Sequence, residues 1–236
     1  MRLILNGGGS DNQVKESYEL FAREVNGGKV LYIPLAWPYG NMEECINWFR
    51  RQVLQFGIIN IEQILDPNDL TKEKLKETSG VFIGGGNTYQ LLKCLKETHA
   101  FENLKEYIEN GGLIMGGSAG ALIFGECIDT CLKDELVIKS CNDENKVGLK
   151  DTKGFNCIKG YSVLPHYKKL PEQYLDIQKR VNRLIENGFK LICLPEETSL
   201  YITDDKFTII GQKPVEIITK NKKQIIEPNN ICDLTK

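Results

Sequence analysis

Short apolar runs alternate with stretches of helical spacing over the first two-thirds of the chain. Arg2–Asn6, Lys29–Leu35, Ile58–Leu65, Val81–Ile83 and Leu113–Met115 are short and apolar, and several end at glycine or proline. Runs of this kind read as parallel strands buried on both faces. Between them Asp11–Val25, Met42–Phe56, Leu70–Glu77, Tyr89–Thr98 and Glu102–Glu109 are amphipathic and predict helices. In the second of these, Met42, Ile46, Phe49, Val53 and Leu54 fall on one face of 3.6-residue period. Strand–helix–strand alternation implies right-handed crossovers and a layered α/β sheet that is mostly parallel.

Beyond Gly125 the rhythm changes. Leu136–Ser140, Phe155–Ile158 and Tyr161–Leu164 predict strands, and Pro171–Glu186 predicts one more helix, stopped by Asn187-Gly188. From Leu191 to Ile226 apolar strands are joined by polar turns at Thr203-Asp204-Asp205-Lys206 and Asn221-Lys222-Lys223, which predicts antiparallel strands at the C-terminal edge. The chain carries no linker, repeat or low-complexity stretch, so residues 1–236 are expected to form a single domain.

Composition narrows the class. At 236 residues the chain is long enough to bury roughly 70–75% of its unfolded surface without a staple. Thirty basic and 32 acidic residues leave a net charge of −2, without the basic excess of a nucleic-acid binder. The basic run Lys220-Asn221-Lys222-Lys223 reads as a solvated turn. No apolar run reaches the ~18 residues of a membrane span, and the N-terminus turns too early for a signal peptide, so a cytoplasmic protein is expected. The eight cysteines are scattered with no CxxC pair, and there are only two histidines, His99 and His166. Neither a metal site nor a cofactor is expected from such ligands, and any histidine-dependent chemistry has two candidates.

Three glycine clusters follow predicted strands. Gly7-Gly8-Gly9-Ser10 lacks both P-loop lysine and Rossmann spacing, and reads as a tight strand-to-helix turn. Gly84-Gly85-Gly86-Asn87-Thr88 has more glycine than a turn requires. Asn87 can cap the helix that follows, and the glycines let amides approach a negative oxygen. Gly116-Gly117-Ser118-Ala119-Gly120-Ala121 matches G-x-S-x-G between a strand and a helix, the context of a nucleophile elbow. Ser118 is therefore the expected nucleophile, with Gly116 and Gly120 clearing space on either side. If the two strands are neighbours, amides of Gly85, Gly86 and Ala119 converge on an oxyanion. His166, leaving a strand through Pro165, is placed as a general base; His99 lies in a polar helix-end stretch. For the acid that orients the imidazole, Asp129, Asp134, Asp143, Asp151 and several glutamates are open, and Asp143 reads equally well as a turn residue.

These motifs resemble the serine-peptidase family that contains dipeptidase E (an α-aspartyl dipeptidase) and cyanophycinase. The resemblance rests on Gly84–Asn87 with Thr88, Gly116–Ala121 and Pro165-His166, and extends loosely from the first strand to Leu194-Pro195-Glu196. It implies a three-layer, class I glutamine-amidotransferase-like (flavodoxin-like) sandwich. The family's elbow serine matches Ser118, its histidine His166, and its oxyanion donors the Gly85 or Gly86 and Ala119 amides, with Asn87 beside them. Dipeptidase E has an Asn-Asp pair and a Lys-Gly-Phe stretch ahead of the histidine. Asn142-Asp143 and Lys153-Gly154-Phe155 fit that pattern, which points to Asp143 as the acid. The segment from Ser118 to Asp143 is longer than in dipeptidase E, so Asp134 or Glu135 stays open. An aspartyl substrate would need a basic group after the histidine, where Lys168, Lys169 and Arg180 stand.

The reading that follows is a serine hydrolase cleaving short peptides, with N-terminal aspartate as one specificity, working as a monomer or homodimer. Two rivals are kept. An α/β-hydrolase esterase shares the Ser, acid, His order, but neither histidine precedes glycines as its oxyanion motif requires. A dormant binding module on the same fold is the second. Glutamine amidotransfer needs a cysteine at the elbow, where serine stands.

Overall fold

Along Leu3-Ile4-Leu5 successive side chains point to opposite faces of a sheet, and all three are completely buried. A strand can bury both faces only if helices cover both, and they do. The computed structural model describes residues 1–9, 11–37, 41–132, 142–167, 174–204 and 206–232. Its first half runs β1 (Arg2–Asn6), α1 (Lys15–Val25), β2 (Val30–Ile33), α2 (Met42–Val53), β3 (Ile61–Gln63), α3 (Lys72–Lys76), β4 (Gly80–Ile83) and α4 (Thr88–Lys96). Then come α5 (Ala100–Glu109), β5 (Leu113–Gly117), α6 (Ala119–Leu122), β6 (Ser162–Leu164) and α7 (Tyr174–Glu186). The tail is β7 (Leu191–Cys193), β8 (Thr198–Thr203), β9 (Lys206–Gly211), β10 (Val215–Ile218), β11 (Lys223–Ile226) and β12 (Ile231–Cys232).

The main sheet has the order β12-β9-β8-β1-β5-β4-β2-β3. Its β1-β5-β4-β2-β3 half is parallel, and β8, β9 and β12 add antiparallel to the outer side of β1. Leu3, Leu5, Leu31, Ile33, Val81, Ile83 and Ile114 pack with α4, α5 and α6 on one face. Ile4, Val30, Tyr32, Phe82, Leu113 and Met115 pack with α1 and α2 on the other. The result is the three-layer α/β sandwich, mostly parallel with antiparallel edge strands, that the sequence predicts.

The sequence does not predict a second sheet, yet β6 and β7 leave the main one and pair in parallel with each other. β10 and β11 extend them antiparallel, in the order β11-β10-β7-β6. Two local expectations also change. Phe155–Ile158 is not a strand. Its amides are used on the turn after α6, where Phe155 N–H donates to Ile123 O at 2.7 Å and Cys157 N–H to Phe124 O at 2.9 Å. The apolar run is instead explained by the Phe155 ring, stacked on Phe101 with centroids 4.1 Å apart. Lys223 is not in a solvated turn but at the start of β11, 2.7 Å from the buried Glu216 carboxylate. The strand expected at Leu136–Ser140 lies outside the described residues.

Phe49 locks α2 onto the sheet. It is completely buried and stacks on Phe82 at 4.4 Å and on Tyr32 at 4.6 Å. Phe49→Ala is expected to cost about 3–5 kcal/mol of stability, read from the urea midpoint; a loss below about 1 kcal/mol contradicts this packing role.

Candidate active site

Parallel β4 and β5 are neighbours, with Ile83 opposite Gly116, so the turns that follow them lie side by side. The β5 turn is an elbow. Ser118 has φ 53° and ψ −111°, a strained conformation for a residue with a Cβ. It is held there by its own N–H, which donates to Asn6 O at 3.1 Å at the end of β1. The flanking glycines are obligatory by packing. A Cβ on Gly116 would lie 2.2 Å from Gly120 O, and one on Gly120 would lie 2.2 Å from Ile83 O. The chain can bend this sharply against β4 only without those side chains.

The Gly84–Asn87 turn faces the elbow. A Cβ on Gly85 would sit 3.3 Å from Ser118 Cβ. Gly86 takes φ +137°, where a Cβ would meet Ala36 O at 2.4 Å. Among the described residues the Gly85 and Gly86 amides have no backbone hydrogen-bond partner. Ala119 opens α6, and the first N–H groups of a helix lack intrahelical acceptors. The three predicted donors are thus brought together around Ser118. Because α6 is a single turn, its contribution comes from individual amides rather than from a long helix dipole.

His166 is where the sequence places it. Its Nε2 lies 2.8 Å from Ser118 Oγ. The backbone is in the left-handed region at φ 54°, and His166 N–H donates to Gly7 O at 2.8 Å. His99 is exposed at the start of α5, beyond the far end of α4 from the Gly85 turn.

The carboxylate that meets His166 is not the expected one. His166 Nδ1 lies 2.6 Å from Glu196 Oε1, and that side chain is only 6% exposed. Asp143 does not meet the ring. Its Oδ2 accepts from Thr88 N–H at 2.7 Å and from Thr88 Oγ1 at 2.6 Å, at the positive N-terminal end of α4. Asp143 therefore fixes the helix that follows the Gly84–Asn87 turn. Asn87 anchors the same helix start. Its Oδ1 accepts from Gln90 N–H at 2.9 Å, and its Nδ2 donates to Glu144 O at 3.0 Å. The alternatives Asp134 and Glu135 lie outside the described residues, as do Lys168 and Lys169. Arg180 is buried, and its guanidinium donates to Thr130 O and Leu132 O rather than opening towards Ser118.

Glu196 was legible in one signal. β6 continues into Leu164-Pro165-His166 and β7 into Leu194-Pro195-Glu196, the same Leu-Pro-polar ending on two parallel neighbours. Leu194 N–H donates to Leu164 O at 2.9 Å and Tyr167 N–H to Leu194 O at 3.1 Å, so the pairing continues past Pro165 and sets the two side chains together.

The first glycine cluster has more than the turn role read from sequence. A Cβ on Gly7 would lie 2.0 Å from Pro195 O, and a Cβ on Gly8, at φ +110°, 2.2 Å from His166 Cε1. Gly9 similarly borders Glu196: a Cβ on it would lie 3.1 Å from Glu196 O. Asn6 anchors this turn: its Oδ1 accepts from Gly8 N–H at 2.8 Å, and its Nδ2 donates to Ser199 Oγ at 2.9 Å. The cluster is the floor on which the His166–Glu196 pair rests.

Comparison with known proteins identifies the family and the fold. The family model described as Peptidase family S51 matches residues 3–210. Peptidase E of Shewanella denitrificans is 26% identical over 197 residues, 80% of this chain and 77% of that protein. Peptidase E of Haemophilus influenzae is 23% identical over 210 residues, 85% of this chain and 82% of that protein. The crystal structure of a peptidase from an acI-B1 Actinobacterium has the same fold, with TM-score 0.75 and 22% identity, covering 99% of this chain and 96% of that one. A putative peptidase E protein from Listeria monocytogenes EGD-e aligns at TM-score 0.69 and 23% identity, over 89% and 98% of the two chains. With a family match over most of its length and a serine on a strained elbow, the chain belongs to Peptidase family S51 and is a hydrolase, a peptidase of serine type.

Proposed function

We propose that the chain hydrolyses short peptides, dipeptides in the first place, through Ser118, His166 and Glu196 and an acyl-enzyme. The observation that carries this reading is the continuous hydrogen-bonded line from Ser118 Oγ through both ring nitrogens to Glu196, 2.8 Å at one end and 2.6 Å at the other. A proton on Nδ1 donates to the Glu196 carboxylate. That tautomer leaves the Nε2 lone pair to accept from the serine hydroxyl.

As Ser118 Oγ attacks the peptide carbonyl, its proton passes to Nε2 and the imidazolium is held by Glu196. The carbonyl oxygen becomes negative and is met by the Gly85 or Gly86 amide and by Ala119 N–H, donors that need no reorganisation. The imidazolium then protonates the leaving amine, the C–N bond breaks, and an ester to Ser118 is left. Water, deprotonated by Nε2, attacks that ester; the serine takes the proton back as the acid leaves. Asp143 enters only through the Thr88 contact that fixes the oxyanion turn. The relatives named Peptidase E support a peptide substrate, and aspartyl dipeptides belong in any panel of substrates.

Ser118→Ala is expected to abolish turnover. Glu196→Gln, which keeps the shape and loses the charge, is expected to lower kcat by on the order of 10³–10⁴. Asp143→Asn should cost about 1 kcal/mol of stability through the weakened helix start and leave most of kcat. Steady-state kinetics on a hydrolysed dipeptide separates these cases; equal losses for Glu196→Gln and Asp143→Asn contradict the assignment of the acid. Gly8→Ala should fold yet lose labelling of Ser118 by a fluorophosphonate, because the methyl group occupies the position of the imidazole. Gly27→Ala, also at positive φ but with open space around it, is the control and should lose only about 1 kcal/mol. Labelling of Gly8→Ala at the wild-type rate contradicts the role of this floor.

A further inference from the structure

A cleft of about 470 Å³ opens on the α2 side of the sheet, with Gly85 in its lining. A Cβ on Gly85 would lie 3.3 Å from Ser118 Cβ, so the cleft adjoins the turn that faces the reacting serine. Its walls are Tyr32, Pro34, Trp37, Cys45 and Trp48. Two of them are held by ring contacts: Tyr32 stacks on Phe49 at 4.6 Å and lies tilted against Phe82 at 5.8 Å, and the Trp48 ring lies 6.3 Å from that of Phe82.

In helix α2 the buried Ile46, Phe49 and Val53 make the main core contact, with Cys45 and Trp48 partly buried beside them, while Glu44, Cys45, Trp48 and Arg51 follow at helical spacing along the face that lines the cleft. Trp37 is left 51% exposed at the cleft, a large aromatic surface open to a ligand. Glu44 and Arg51 place one charge of each sign on the lining, so no net field there selects an acidic side chain. Burial, and then the neighbouring Glu44, push the Cys45 thiol up from its ordinary value, so it presents a neutral surface.

We infer that this cleft is a substrate side-chain subsite for a large apolar or aromatic residue next to the scissile bond, with Trp48 and Trp37 as its specificity-determining walls. The inference rests on the reading of Ser118 as nucleophile, which puts the reacting carbonyl at Gly85.

Binding to the Ser118→Ala protein, measured by titration calorimetry, tests it without turnover. The probes are Phe-Ala, Ala-Phe, Ala-Ala and Asp-Ala. One of the two phenylalanine dipeptides is expected to bind about tenfold more tightly than Ala-Ala, with Asp-Ala no tighter than Ala-Ala. Adding Trp48→Ala, or separately the more exposed Trp37→Ala, should bring the phenylalanine dipeptide down to the level of Ala-Ala. Equal affinity for all four probes, tightest binding of Asp-Ala, or an aromatic preference that survives both tryptophan substitutions overturns the subsite. Fluorophosphonate labelling of the wild-type chain keeps the two claims apart: labelled Ser118 without aromatic preference sinks the subsite alone, and aromatic preference without labelling sinks the nucleophile alone.

Discussion

The His166 imidazole is fixed from three sides at once. Ser118 Oγ stands 2.8 Å from one ring nitrogen and Glu196 Oε1 2.6 Å from the other, while the Gly7-Gly8-Gly9 turn lies beneath the ring with no room for a Cβ at Gly8. These groups come from four strand ends in two different sheets. Ser118 follows β5 and the glycines follow β1, both in the main sheet; His166 follows β6 and Glu196 follows β7, both in the small one. The placement of the ring therefore depends on how the small sheet abuts the main one, and a backbone hydrogen bond crosses that contact, from His166 N–H to Gly7 O at 2.8 Å.

Around this fixed ring the carboxylates divide their work. Glu196 sits against a histidine in a nearly closed setting, where its charge acts on the ring with little screening by water. Asp143 sits at a helix start, where its charge is complemented by N–H groups and the α4 dipole. Moving either charge to the other's position would leave a half-buried imidazole without an orienting partner or a helix start without its acceptor. Asn87 and Asp143 together hold the Gly84–Asn87 turn as Asn6 holds the elbow and the glycine floor, so each of these turns has its own anchor at the end of a strand.

Much of this was legible in the sequence because it is local. The elbow needs only a strand, small residues around a serine and a helix start, all within Leu113–Leu122. The parallel half of the sheet follows from apolar runs and helical spacing, and His166 follows from there being two histidines. The acid is not local. A carboxylate next to a turn is common, and only the pairing of β6 with β7 makes Glu196 the partner of His166; the repeated Leu-Pro ending encodes that pairing weakly. The second sheet was missed for the same reason, since apolar alternation in the tail fixes which residues are strands but not which strands pair. Phe155 looked like a strand residue because burial against Phe101 and Phe124 imposes the same apolar character without a ladder.

With only two histidines in the chain, the Nδ1–H proton of His166 can be observed by itself. A His99→Gln protein leaves one imidazole, and a short hydrogen bond to a carboxylate moves its N–H proton resonance far downfield. Proton NMR should show that resonance in the His99→Gln background, retain it after Asp143→Asn and lose it after Glu196→Gln. A resonance that survives Glu196→Gln and disappears with Asp143→Asn would contradict the account.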